Sequence, residues 1–238
     1  LHTFLGTRRD ILYLTTSGTG GLEAAVVNTL SPGDRVLGAS AGAFGDRFRS
    51  IPETYGAELV RLDAEWGRAI DPKQIRQALR DAKPIHAVLI THCETSTGVT
   101  HPLAEICEAV RAESDALILV DAVSSLGAIA LPMEPWGVDV VVTASQKAWG
   151  VPPGLAMVVF GSRAWEAYEH AKMPRFYLDL ARYRDAALRG QYPYTPALPV
   201  FFGLDEALKL MLEEGPQAVC ARHTQVAERF REGLRALG

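Results

Sequence analysis

A chain of 238 residues, 48% hydrophobic and 22% charged, has the make-up of a globular protein. It is long enough for one large domain, or for a domain and part of another. A formal net charge of −4 excludes binding of nucleic acid through a broadly basic face, and no apolar stretch approaches the roughly 20 residues that span a bilayer. Leu1–Gly6 reads as the end of a helix. The strands expected along the chain are Ile11–Thr15, Arg35–Ala39, Glu58–Leu62, His86–Thr91, Leu117–Asp121, Val138–Thr143 and Leu155–Phe160. Helical patterns fall between most of them, at Gly18–Leu30, Ala43–Tyr55, Pro72–Arg80 and Leu103–Ala112. Pro72 and Pro102 suit first-turn positions, and Asp71 is a natural N-cap. Strands alternating with helices imply a parallel sheet covered on both faces. After Phe160 the pattern changes: Trp165–His170 and Pro199–Leu237 read as mostly helical, with a Tyr- and Pro-rich loop at Gly190–Pro199. Arg229–Gly238 stops just after a helical pattern, so the chain reads as a piece of a longer protein.

Cys93, Cys107 and Cys220 are far apart and show no CxxC spacing. Such a set suits a reducing compartment, the cytoplasm, better than a disulfide scaffold. His86, His92 and His101 lack the spacing of a metal site, and none is expected. A Ser-His-Asp hydrolase is equally unsupported, because there is no G-x-S-x-G elbow.

Two apolar runs end in side chains that carry chemistry. Leu117–Asp121 closes on a carboxylate, and Val140-Val141-Val142-Thr143-Ala144 runs on into Ser145-Gln146-Lys147. Strand C-termini in an open α/β sheet face the ligand crevice, so an amine and a carboxylate are delivered toward one site. A Lys amine can form a Schiff base and an Asp can pair with a pyridinium nitrogen, which is the protein's share of pyridoxal phosphate chemistry. Either residue alone also reads as a solvated charge or a turn residue. Upstream, Thr15-Thr16-Ser17-Gly18-Thr19-Gly20-Gly21 follows a strand and opens a helix. It can bind an anion through free N–H groups and the Ser17 and Thr19 hydroxyls, or be a capped Gly-rich turn. Phe44, between Gly42 and Gly45, can lie against a planar ring or pack into the core. Thr95, in the polar loop His92–Gly98, can hydrogen-bond a phenolic oxygen or belong to a Ser/Thr turn. Glu94 and Glu105 are potential acids with no evident partner.

These segments occur in one order: Ser17–Ala25, Gly42-Ala43-Phe44-Gly45-Asp46-Arg47, Thr91–Gly98, Val120–Gly127 and Ser145–Ala148. Together they resemble a class V aminotransferase of fold type I, in the alanine–glyoxylate and serine–glyoxylate (serine–pyruvate) branch, over nearly the whole chain. The resemblance implies a three-layer αβα sandwich with a mostly parallel seven-stranded sheet. Residues 1–214 would form the large, pyridoxal 5'-phosphate-binding domain without its N-terminal segment. Residues 215–238 would be a helix leading to a small C-terminal domain outside this chain. The implied activity is transfer of an amino group from alanine or serine to a 2-oxo acid such as glyoxylate. Lys147 would hold the cofactor and move the substrate's α-proton, and Asp121 would keep the ring nitrogen protonated. Phe44, where many relatives have Trp, and Val123 would flank the ring, and Thr95 would contact its phenolic oxygen. Ser17, Gly18, Thr19 and Gln146 would hold the phosphate, and Tyr192 and Thr195 would reach the phosphate of the partner subunit's cofactor in a homodimer. The Arg that grips the substrate carboxylate would lie in the small domain, since Arg47, Arg49, Arg175 and Arg182 do not match its position. The same resemblance allows a cysteine desulfurase or lyase, disfavoured by Phe44 and Gln146 where those enzymes have His. It also allows a non-catalytic relative acting as a subunit.

Overall fold

The apolar runs pair into one seven-stranded sheet. The computed structural model describes residues 1–238. In chain order these form helix α1 (His2–Leu5), strand β1 (Asp10–Leu14), α2 (Gly18–Val27), β2 (Arg35–Ser40), α3 (Ala43–Thr54) and β3 (Glu58–Asp63). Then follow α4 (Pro72–Asp81), β4 (Ala87–Thr91), a small hairpin of β5 (Cys93–Glu94) and β6 (Val99–Thr100), α5 (Leu103–Glu113), β7 (Leu117–Asp121), β8 (Val140–Ala144) and β9 (Ala156–Phe160). Helices α6 (Ser162–Tyr168), α7 (Leu180–Leu188), α8 (Leu198–Glu214) and α9 (Pro216–Leu237) complete the chain.

The strand order is β1-β9-β8-β7-β4-β2-β3. All neighbours are parallel except β9, which runs antiparallel to both β8 and β1. Flanked by an inverted strand, β1 regains the direction of β8, so the C-terminal ends of β1, β2, β4, β7 and β8 share one edge. Thr91 is in register with Asp121, and Asp121 with Val142. This brings the carboxylate beside the strand that leads to Lys147.

Both faces of the sheet are buried, which is why its central strands are continuous apolar runs rather than alternating ones. Within β4, Val88 and Ile90 join one core while Ala87 and Leu89 join the other; within β8, Val141 faces one way and Val140 and Val142 the other. Helices α4, α5 and α8 cover the first face through residues such as Ile75, Leu79, Ile106, Val110 and Leu204. Helices α2, α3 and α7 cover the second through Leu22, Val26, Phe48 and Leu180. The result is a three-layer αβα sandwich.

Local chemistry shifts several boundaries from those the pattern predicts. Helix α2 ends at Val27, not Leu30, because the Asn28 side chain donates to the Ala24 carbonyl at 2.7 Å and to the Leu178 carbonyl at 2.6 Å, and accepts from Leu180 N at 3.0 Å. Asn28 thus ends one helix and fastens it to the start of another. That other helix, α7, is absent from the sequence reading. Its N-cap, Asp179, accepts from Ala181 N at 3.3 Å. The mostly helical region Pro199–Leu237 breaks at Gly215, where Gly215-Pro216 punctuates the sequence and where a φ of 93° is a conformation that side chains disfavour. Beyond the break, only Val219 of α9 is buried.

Candidate active site

A cavity of about 240 Å³ lies at the shared C-terminal edge of the sheet. Its lining includes Ser17, Gly18, Thr19, Phe44, Asp121, Val123, Gln146 and Lys147, delivered by the C-terminal end of β7 and by the segments that follow β1, β2, β7 and β8. One wall is the start of α2. Ser17 is the N-cap, in extended conformation, and its hydroxyl accepts from Gly20 N at 3.4 Å. Gly18 has to be bare, since a Cβ there would come within 2.8 Å of a Val123 methyl and 3.3 Å of Ala144 Cβ. The first N–H groups of a helix have no intrahelical acceptor, and with the helix dipole they favour an anion.

Asp121 forms the floor. It is only 4% exposed, and Val123 N donates to its Oδ1 at 2.9 Å. Burial pushes its carboxyl up to about 6 from the ordinary 3.8; the Val123 N–H opposes this, Glu94 adds to it, and the positive charges of Arg47 and Lys147 oppose it. Gln146 contributes a side-chain oxygen that is buried without a hydrogen-bond partner. Half a turn of that amide places its NH₂ donors in the same position. An amine, a buried carboxylate, two hydroxyls, a helix N-terminus and the apolar side chains of Val123 and Phe44 form a donor set that fits a flat, cationic heterocycle carrying a phosphate and an aldehyde.

Three expected residues lie outside the lining. Thr95 is exposed and shares a 2.7 Å hydrogen bond with Ser124, which does line the cavity. Thr195 is exposed on the loop before α8. Tyr192 packs edge-on against Tyr183 and Phe201, and its hydroxyl donates to the Tyr13 carbonyl of its own chain. While that bond is made, Tyr192 has no proton to give a phosphate.

The structure adds residues that the sequence left unassigned. Arg47 and Cys93 line the cavity. Of the four arginines weighed from sequence, Arg49 is engaged by Asp46 and Asp63, Arg175 donates to the Val27 carbonyl, and Arg182 pairs with Asp179. Glu94 does have partners after all: it is fully buried and accepts from Phe44 N, Gly45 N and Ser96. The one available signal was that Gly42, just before α3, carries no side chain able to cap that helix.

The family model for aminotransferase class V matches residues 1–238. The soluble hydrogenase small subunit of Synechococcus sp. is 44% identical over 233 residues, covering 97% of this chain and 61% of that one. The L-aspartate–glyoxylate aminotransferase of Paracoccus denitrificans is 38% identical over 235 residues, covering 98% of this chain and 59% of its own length. Among solved structures, the alanine–glyoxylate aminotransferase from Nostoc sp. aligns with a TM-score of 0.94 at 32% identity, over 100% of this chain and 64% of that one. The chain thus spans 59–61% of the length of these two curated relatives.

Proposed function

This chain belongs to the class V aminotransferase family, and we propose that the protein is a pyridoxal 5'-phosphate-dependent transaminase that moves an amino group from a small amino acid, alanine or serine, to a 2-oxo acid, glyoxylate. The observation that carries this reading is the meeting of Lys147 and Asp121 in one cavity with the start of α2. The acceptor has more support than the donor. Glyoxylate is in the names of both the Paracoccus relative and the Nostoc structure, whereas their donors are aspartate and alanine.

When bound, pyridoxal phosphate supplies an electron sink for a carbanion at the substrate α-carbon. Lys147 Nζ would anchor it covalently and, once freed, carry the α-proton. Asp121, ionised above about pH 6, would favour a protonated ring nitrogen. Ser17, Gly18, Thr19 and Gln146 would hold the phosphate, Val123 and Phe44 would bound the ring, and Thr95 would approach the phenolic oxygen from its position beside Ser124. Thr195, with Tyr192 if its hydroxyl leaves Tyr13, would serve the partner's phosphate in a homodimer. Residues 1–214 would form the cofactor domain, and 215–238 would lead to a small domain that supplies the Arg for the substrate carboxylate. No helix is long and apolar enough to cross a membrane, and with sparse free cysteines we place the protein in the cytoplasm.

The Synechococcus relative is named as a small subunit, and on that name a second reading is a family member that acts as a subunit of a larger assembly. The purified full-length protein separates the two. A visible absorption band that shifts on addition of alanine or serine, with turnover on glyoxylate, is expected for the transaminase. A protein with no band and no turnover refutes it.

A further inference from the structure

We infer that Glu94 is a positioning residue, whose buried carboxylate fixes Phe44 in the cavity wall. The inference rests on the proposed function, in which Phe44 faces the cofactor ring.

Helix α3 starts at Ala43, directly after Gly42, and no side chain at its N-cap accepts from its first N–H groups. Those groups still need acceptors when buried. Glu94 supplies them from fifty positions away in sequence: Oε2 accepts from Phe44 N at 3.1 Å and from Gly45 N at 2.9 Å. Its other oxygen, Oε1, accepts from Ser96 N at 3.1 Å and from the Ser96 hydroxyl at 2.6 Å. Glu94 is 0% exposed. An ionised carboxylate is expensive to bury unless its lone pairs are met, and here both oxygens are. Gly42 completes the fit, since a Cβ at that position would lie 2.7 Å from Glu94 Cδ.

The clamp joins two segments that carry cavity-lining side chains. Phe44 and Arg47 ride on the first turn of α3, and Cys93 is the neighbour of Glu94 on β5. Hydrogen bonds at the backbone of Phe44 and Gly45 set where the Phe44 ring begins. The Arg47 guanidinium, 5.0 Å from the ring centroid, adds a second restraint. A carboxylate that only capped a helix would stabilise the fold without acting through one aromatic ring. The two roles therefore differ in their coupling to Phe44.

The test is a double-mutant cycle in the full-length protein, read as the affinity of the cofactor-free form for pyridoxal phosphate by fluorescence quenching, with thermal unfolding recorded alongside. Glu94→Gln replaces one acceptor oxygen with an NH₂ that opposes the N–H groups it should receive. Glu94→Gln and Phe44→Ala are each expected to weaken affinity about 5-fold to 10-fold, with the double variant within about 2-fold of Phe44→Ala alone. Factors that multiply in the double variant, or normal affinity in either single variant, overturn the inference. Should Glu94→Gln fail to fold, Ser96→Ala at an exposed residue removes the hydroxyl that donates to Glu94 Oε1 at 2.6 Å and accepts from Ala43 N at 3.0 Å, and it enters the same cycle, with a smaller loss that again disappears in the Phe44→Ala background. Wild-type protein that takes up no pyridoxal phosphate overturns the proposed function and this inference with it. Wild type that binds, with multiplying factors, overturns the inference alone.

Discussion

Replacing Asp121 with Asn should make the cofactor-free protein more stable while crippling its chemistry. Asn keeps an oxygen for Val123 N, which donates to Asp121 Oδ1 at 2.9 Å, and removes the buried charge. Because burial raises the carboxyl from 3.8 to about 6, the folded state holds its proton more tightly than the unfolded chain does. The stabilisation linked to that proton is complete below pH 3.8 and is lost as pH rises through about 6. Its full loss amounts to about 3 kcal/mol, reached by pH 8, and at pH 5 about half of that is lost. Urea unfolding of the cofactor-free protein should therefore show Asp121→Asn ahead of wild type by about 3 kcal/mol at pH 8 and by about half as much at pH 5. Saturating pyridoxal phosphate should narrow the gap, because a cation beside the carboxylate offsets the cost of burial. Asp121→Asn should also slow α-proton removal severely. A variant no more stable than wild type at pH 8, or a gain that does not shrink toward pH 5, refutes the reasoning.

Lys147→Ala should abolish the adduct that borohydride fixes between cofactor and protein; peptide mapping that finds the reduced cofactor on Lys73, Lys83, Lys172 or Lys209 would show that the anchor is misassigned. Gly18→Val places a branched side chain where even a Cβ lies 2.8 Å from Val123, so cofactor affinity should fall about 10-fold with the circular dichroism of the fold unchanged, and undiminished affinity would contradict the close approach. Mixing inactive Lys147→Ala subunits with inactive Tyr192→Phe, Thr195→Val subunits should restore part of the activity if sites are shared, because one site of each hybrid then carries neither defect. No recovery after proven subunit exchange, with normal cofactor binding by the double variant, would mean that the sites are not shared in this way.

The sheet was legible because its central strands β4, β7, β8 and β9 are runs of β-branched and other apolar residues buried on both faces, while the edge strand β3 still carries Leu59, Val60 and Leu62 among its polar residues. Leu117–Asp121 coincides with its prediction, and the other strands agree within about two residues at either end. The reversed direction of β9 does not show in its own residues, since Ala156–Phe160 is equally apolar read either way. It follows from the connection: residues 145–155 are too few for the helical crossover that a parallel partner of β8 requires. The β5–β6 hairpin, two residues per strand, is too short for any period to register. In the site, residues at strand ends were legible because topology alone places them on the ligand edge. Glu94 was not, since its partners are Phe44 and Gly45, fifty residues upstream, and nothing local marks that pairing. Tyr192 illustrates the opposite difficulty: its segment can be recognised, but the acceptor its hydroxyl finds, the Tyr13 carbonyl, is set by tertiary packing.

Two buried aspartates separate structural from functional use of charge in this chain. Asp139 receives Arg111 at 2.6 Å and Ile118 N at 2.8 Å, with Arg163 at 3.6 Å. Its charge is balanced within the fold, and it ties α5 to the start of β8. Asp121 is buried to the same degree, yet its one hydrogen-bond donor is the N–H of Val123. Lys147 and Arg47 act on it only through longer-range attraction. A fold that needed a polar residue at the end of β7 for structure alone would be better served by Asn, which keeps the Val123 bond without the charge. Retaining the carboxylate lowers stability at neutral pH, and that cost falls on the residue facing the same cavity as Lys147. A purely structural subunit would gain nothing from this arrangement, whereas in the proposed transaminase the same carboxylate would face a positive ring nitrogen.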